Sequence, residues 1–109
     1  MSSAGLPGFA GHAYTVKVDN GTVFEHTFAV DGRSLHWESP TGSAETVSLH
    51  VRDLFPGVYF VSWIEATGRT VSEVLDLNRN TAQIFWTYAD GSDWAGRAGE
   101  LHTGELIPG

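Results

Sequence analysis

Hydrophobic and polar positions alternate along this chain in short runs, and the runs are divided by turn-forming residues. YTVKV is followed by DNG at 19–21 and then TVFEHTFAV; DGR at 31–33 precedes SLHWES, and SPTGS at 39–43 precedes ETVSLHV. FPG at 55–57, ATG at 66–68 and NRN at 78–80 punctuate VYFVSWIE, RTVSEVLDL and TAQIFWTYA, and DGSD at 90–93 leads to a last run, ELHTGELI. A period of two in runs rich in β-branched and aromatic residues marks strands. No stretch of a dozen residues keeps a 3.6-residue period with caps, so almost no helix is expected. Asn20-Gly21 is the strongest hairpin signal, because a two-residue type I′ turn needs positive φ at both central positions. The pattern predicts an all-β chain of about eight strands. Consecutive short hairpins predict an antiparallel up-and-down β-barrel, whose closure removes exposed edges and whose interior just holds one small ligand.

Alternation assigns side chains to faces. Tyr59, Val61, Trp63 and Glu65 share one face of their strand, and Phe60, Ser62 and Ile64 share the other. A two-residue turn at Thr67-Gly68 sets Glu65 opposite Thr70 and Trp63 opposite Ser72, which adds Ser72 and Asp76 to the first face, and a turn of even length at NRN then adds Gln83, Phe85 and Thr87. The second face then carries Phe60, Ile64, Val71, Leu75, Leu77, Ile84, Trp86 and Tyr88. Either the first face is a polar-dotted cavity, or it is partly solvated and the second is the core; periodicity leaves both open. By the same parity His26 falls on the face away from Tyr14, on the exterior.

Composition narrows the function classes. At 109 residues the chain is expected to be one barrel domain over 12–109, after a flexible Gly-, Ser-, Ala- and Pro-rich lead-in or lid at 1–11. Six Lys and Arg against 13 Asp and Glu give a net charge of −7, with no basic stripe for nucleic acid or an anionic membrane. Cysteine is absent, and the five histidines follow no HExxH or HxH spacing, so no metal and no cofactor are expected. No P-loop, GxGxxG or nucleophile elbow occurs. MSSAGLPGFAGH has neither a charged start nor an apolar core, and no run approaches about 20 apolar residues, so the expectation is a soluble, cytoplasmic protein.

The stretch GVYFVSWIEATGRTV resembles the central GVY..SW.E.TG..V motif of bacterial phenolic acid decarboxylases, matched here by Gly57, Val58, Tyr59, Ser62, Trp63, Glu65, Thr67, Gly68 and Val71. VSLHVRDLFPGVYFVSW with SEVLDLNRNTAQI is similar to the MoaF-like proteins, relatives of the molybdenum-cofactor biosynthesis protein F. Both groups belong to the lipocalin-like (calycin) barrels. The resemblance implies an inward-pointing acid, Glu65, acting in proton transfer. The decarboxylases' paired tyrosines fall at Val16 and Val18 here, with Tyr14 one step further on the same face, and His36 stands where they carry an arginine. Those departures argue against decarboxylation of a hydroxycinnamic acid and keep a pocket.

The candidate catalytic residues are therefore Glu65, Tyr14 and His36. Tyr59, Trp63, Val16, Val18, Val61 and Phe85 are candidate ligand contacts. In an apolar cavity the Glu65 carboxyl should titrate high enough to donate a proton near neutral pH. The leading expectation is a MoaF-like barrel that binds a compact apolar or aromatic molecule. The alternatives are a cofactor-free lyase or isomerase using Glu65, and a non-catalytic homodimeric module with a greasy face around Phe60, Ile64, Leu75, Ile84 and Trp86.

Overall fold

The computed structural model describes residues 5–91 and 94–109, which form one antiparallel sheet of nine strands curled into a nearly closed barrel. One meander contains β1 (Ala13–Val18), β2 (Val23–Phe28), β3 (Ser34–Glu38) and β4 (Ala44–Ser48). The other contains β5 (His50–Phe55), β6 (Val58–Ile64), β7 (Thr70–Asp76), β8 (Thr81–Ala89) and β9 (Arg97–Pro108), with a short 3₁₀ turn at Trp94–Gly96. β9 pairs with β8 along its first part and with β1 along its last, which joins the two meanders. The seam falls between β4 and β5, and β4 rests against β6 across it. The all-β barrel expected from the pattern is present, with one strand more than eight. The extra strand arises because the run ETVSLHV breaks at Leu49; HVRDLF then forms an edge strand exposed at every position. Among the described residues no helix is long and apolar enough to cross a membrane.

The interior is built from alternate residues of these strands. Val16, Leu35, Val61, Leu75 and Ile84 are almost fully withdrawn from solvent. Each such side chain contributes about 1.5–3 kcal/mol relative to an exposed one. At the closed end Phe9 packs on Phe28 at 4.4 Å between ring centroids and edge-on to Tyr59 at 5.3 Å. The Gly8 N–H donates to the Tyr59 hydroxyl at 2.9 Å, and the Gly11 N–H donates to the Ala29 carbonyl. Residues 5–11 thus lie across that end of the barrel; residues 1–4 of the expected lead-in lie outside the described residues.

Loop type decides which faces turn inward. At 19–21, 40–42 and 66–68 the chain makes three-residue hairpin loops that end in a glycine of left-handed conformation, with φ of 91°, 92° and 90° at Gly21, Gly42 and Gly68. Their N–H groups donate to the Val18, Ser39 and Glu65 carbonyls. Two of these loops correct the expected register. Glu65 pairs with Arg69, not Thr70, so Trp63 faces Val71 and Val61 faces Glu73. Ser72 and Asp76 consequently leave the inner face, and Val71, Glu73 and Leu75 take it. The β7–β8 register is the expected one, so Gln83, Phe85 and Thr87 point outward and Ile84 and Trp86 point in. In the first hairpin Tyr14 pairs with His26, which places His26 in the interior instead of outside. Asp76 caps the β7–β8 turn, accepting from the Asn78 and Arg79 N–H groups.

Candidate functional site

A cavity of about 880 Å³ occupies the upper barrel and opens between the loops at 19–22, 39–44 and 66–69. Its wall is largely apolar: Val16 and Val18 from β1, Ile84 from β8, Val71 from β7, and the indoles of Trp37, Trp63 and Trp86. The size falls within the range of small-molecule sites, and such sites combine apolar walls with a few placed polar groups.

Two polar groups stand out. At the rim, Glu65 Oε2 accepts from Trp63 Nε1 at 3.1 Å, and Oε1 lies 4.0 Å from Arg69 Nε. Burial pushes the Glu65 carboxyl above the usual carboxylate range, against the opposing pull of the Trp63 N–H and Arg69; the nearby Glu45 adds to the rise. Glu45 also accepts from the Ala66 N–H at 2.9 Å, tying the β6–β7 loop to β4 over the seam. Deeper in the barrel, His26 Nε2 and Glu73 Oε2 meet at 3.2 Å. Because β2 and β7 are four steps apart in the sheet, this pair crosses the lumen and forms a floor between the cavity and the packed base. His26 is 4% exposed and Glu73 3%. Burial alone would lower the His26 imidazole, but the charge and hydrogen bond of Glu73 outweigh it and hold the ring's pKa above the ordinary histidine value.

Among the described residues, three buried side-chain polar atoms have no hydrogen-bond partner: His26 Nδ1, Trp37 Nε1 and Glu73 Oε1. All three belong to side chains that line the cavity. His26 and Trp37 are direct neighbours across β2 and β3. On the inward side of β9, which pairs His102 with Ile84, His102 tilts onto the Trp86 ring at 4.5 Å between centroids and is held by Glu100 and Asp19 at 2.9 and 2.6 Å. Those two carboxylates raise its pKa. Among the described residues no group of three or more His, Asp or Glu is placed to hold a metal ion.

The sequence candidates divide between cavity, base and exterior. Glu65, Trp63, Val16 and Val18 line the cavity together. Val61 is buried in the interior without lining it, and Tyr59 belongs to the base, with Gly8 and Phe9. Tyr14 is also at the base, edge-on to Phe28 at 6.0 Å, where burial raises its hydroxyl. His36 stands on the outer surface of β3, bonded to Thr46 at 2.9 Å and Glu38 at 3.1 Å. Phe85 is 45% exposed on the outer face of β8. Tyr14, His36 and Phe85 thus stand apart from Glu65, the first by depth and the other two by face. The greasy face expected around Phe60 also separates: Phe60 and Ile64 are exposed, whereas Leu75, Ile84 and Trp86 are interior. Sequence reasoning passed over His26, Glu73 and Trp37 as site residues; a glycine in the third position of DNG, PTG and ATG is the signal that would have turned them inward.

A family model described as MoaF-like matches residues 10–99. No curated protein matches the chain significantly. Among solved structures, one titled "Crystal Structure of a putative beta-lactamase from Burkholderia vietnamiensis" superposes with a TM-score of 0.81 at 22% identity, covering 95% of this chain and 98% of that one. At that identity the likeness is one of fold.

Proposed function

This chain belongs to the MoaF-like family, and from that premise we propose that its barrel binds a compact, largely apolar or aromatic molecule in the upper cavity. The observation that carries this reading is the cavity itself: about 880 Å³, walled by three indoles and aliphatic side chains, open at one end and backed by a charged floor. Indoles offer broad flat surface with one polar edge, which suits a planar guest. Naphthalene, an uncharged aromatic probe, should quench the tryptophan fluorescence saturably. Non-saturable or absent quenching counts against the cavity as a binding site.

Glu65 favours a second reading, a cofactor-free lyase or isomerase. A carboxyl whose pKa is raised by burial, beside an apolar cavity, can move a proton to or from a bound substrate. Glu65→Gln separates the two. A binder keeps its affinity for naphthalene, whereas a proton-transfer enzyme loses turnover; turnover that survives the substitution eliminates Glu65 as acid or base. Stability supplies a second readout. The folded-state pKa lies above the unfolded one, so the proton on Glu65 favours the folded state at low pH, and that contribution disappears as pH rises through the raised pKa. Glu65→Gln should therefore match the wild type near pH 4 and exceed its Tm above pH 7.

A further inference from the structure

We propose that His26, Glu73 and Trp37 form the recognition site for the ligand's polar end, and that this end is an uncharged carboxamide, in a chain or in a ring. The inference deepens the cavity reading and rests on it. Three buried atoms on side chains that line the cavity carry it: Glu73 Oε1 and Trp37 Nε1, which have no partner, and His26 Nδ1, which makes no well-formed hydrogen bond although the Glu25 backbone beside the ring favours its protonated form. A buried polar atom without a partner is costly, so a ligand that supplies the missing partners gains what the protein lacks.

The chemistry of the three atoms selects the group. Trp37 Nε1–H can only donate. Glu73 uses Oε2 on His26, so its Oε1 is a free acceptor that demands an N–H or O–H from the ligand. With Nε2–H directed at Glu73, a protonated His26 ring offers Nδ1–H as a second donor. The ligand must therefore present an acceptor next to a donor. A carboxamide does so: its carbonyl accepts from His26 and Trp37, and its N–H donates to Glu73.

Charge excludes the nearest competitor. A carboxylate would meet the donors but would set a negative group against Glu73 Oε1, with no hydrogen to offer it. Glu45 and Glu65 line the same cavity, and against these three acids stand only Arg69 and His26 among the cationic side chains of the wall. An anion entering here loses solvation and gains an acidic surround.

Three probes of one shape test this: 2-naphthamide, 2-naphthoate and naphthalene, titrated into the whole protein at pH 7 by calorimetry. The amide should bind about 10- to 100-fold more tightly than the acid, because only the amide pairs the buried acceptor. In the charge-neutral double variant His26→Leu/Glu73→Met, the amide's advantage over naphthalene, both measured in that variant, should shrink to about threefold or less. Should that variant not fold, Trp37→Phe removes one donor and should weaken the amide about 3- to 10-fold relative to naphthalene measured in the same variant. Equal or tighter binding of the acid overturns the inference. So does an amide preference that survives the double variant or, if that variant is unfolded, an unchanged amide preference in Trp37→Phe. Naphthalene binding without an amide advantage defeats this inference and leaves the cavity reading standing; binding of none of the three defeats both.

Discussion

Replacing His26 with leucine is expected to destabilise the barrel by about 3–4 kcal/mol at pH 7, far more than replacing Glu73 with methionine. The asymmetry follows from what each change leaves behind. Without His26, the Glu73 carboxylate sits 3% exposed with no counter-charge, and removing one partner of a buried pair costs about 3–5 kcal/mol. Without Glu73, His26 merely loses a proton, which costs an imidazole almost nothing at that pH, and the remainder is an unpaired ring nitrogen worth about 1–2 kcal/mol. The double variant should return to within about 2 kcal/mol of the wild type, since a buried pair exchanged for apolar groups of similar size is often tolerated. Urea denaturation of the four proteins at pH 5 and pH 7 reads all of this. Equal penalties for the two single changes at both pH values would show that the pair carries no buried charge.

Phe9→Ala is expected to cost a further class of stability, about 3–5 kcal/mol, and to lower Tm by more than about 10 °C. Phe9 is 0% exposed although it belongs to no strand. Its ring joins Phe28 and Tyr59 into the cluster that closes the base, and the Gly8 N–H on the Tyr59 hydroxyl fixes the approach of the chain. Truncation leaves a hole that rigid strands on all sides cannot collapse into. Leu6→Ala, at a half-exposed position three residues earlier, should change stability by less than about 0.5 kcal/mol. Thermal unfolding of the two variants checks the contrast; similar small effects would mean that the segment before β1 lies on the barrel without sealing it.

Most of the fold was legible in the sequence because strand runs and glycine turns were evenly spaced, and the MoaF-like resemblance holds over residues 10–99. Glu65 and Trp63 could be placed because they are two apart on one strand, where parity needs no knowledge of the partner strand. What parity could not carry across was the turn. The Asn20-Gly21 and Thr67-Gly68 pairs read as two-residue turns, while the chain makes three-residue loops by including Asp19 and Ala66. One residue of difference exchanges the faces of the following strand. That slip hid His26 and Glu73, and put Phe85 on a face it does not occupy. Tyr14 lies away from the cavity for another reason: its face was right, but depth along the barrel is set by packing at the base, which alternation does not encode. His36 was placed by resemblance to an arginine position, and its strand turns Leu35 and Trp37 inward instead.

The most direct test of a ligand-binding cavity is methyl-resolved NMR of the intact protein during titration with naphthalene. Saturable shifts are expected at Val16, Val18, Val71 and Ile84, which line the cavity, and none at Val30 and Leu101, which are exposed on the outside. Shifts confined to outer residues such as Ile64 and Leu101, with the cavity methyls unmoved, would contradict this expectation and assign binding to the barrel's exterior.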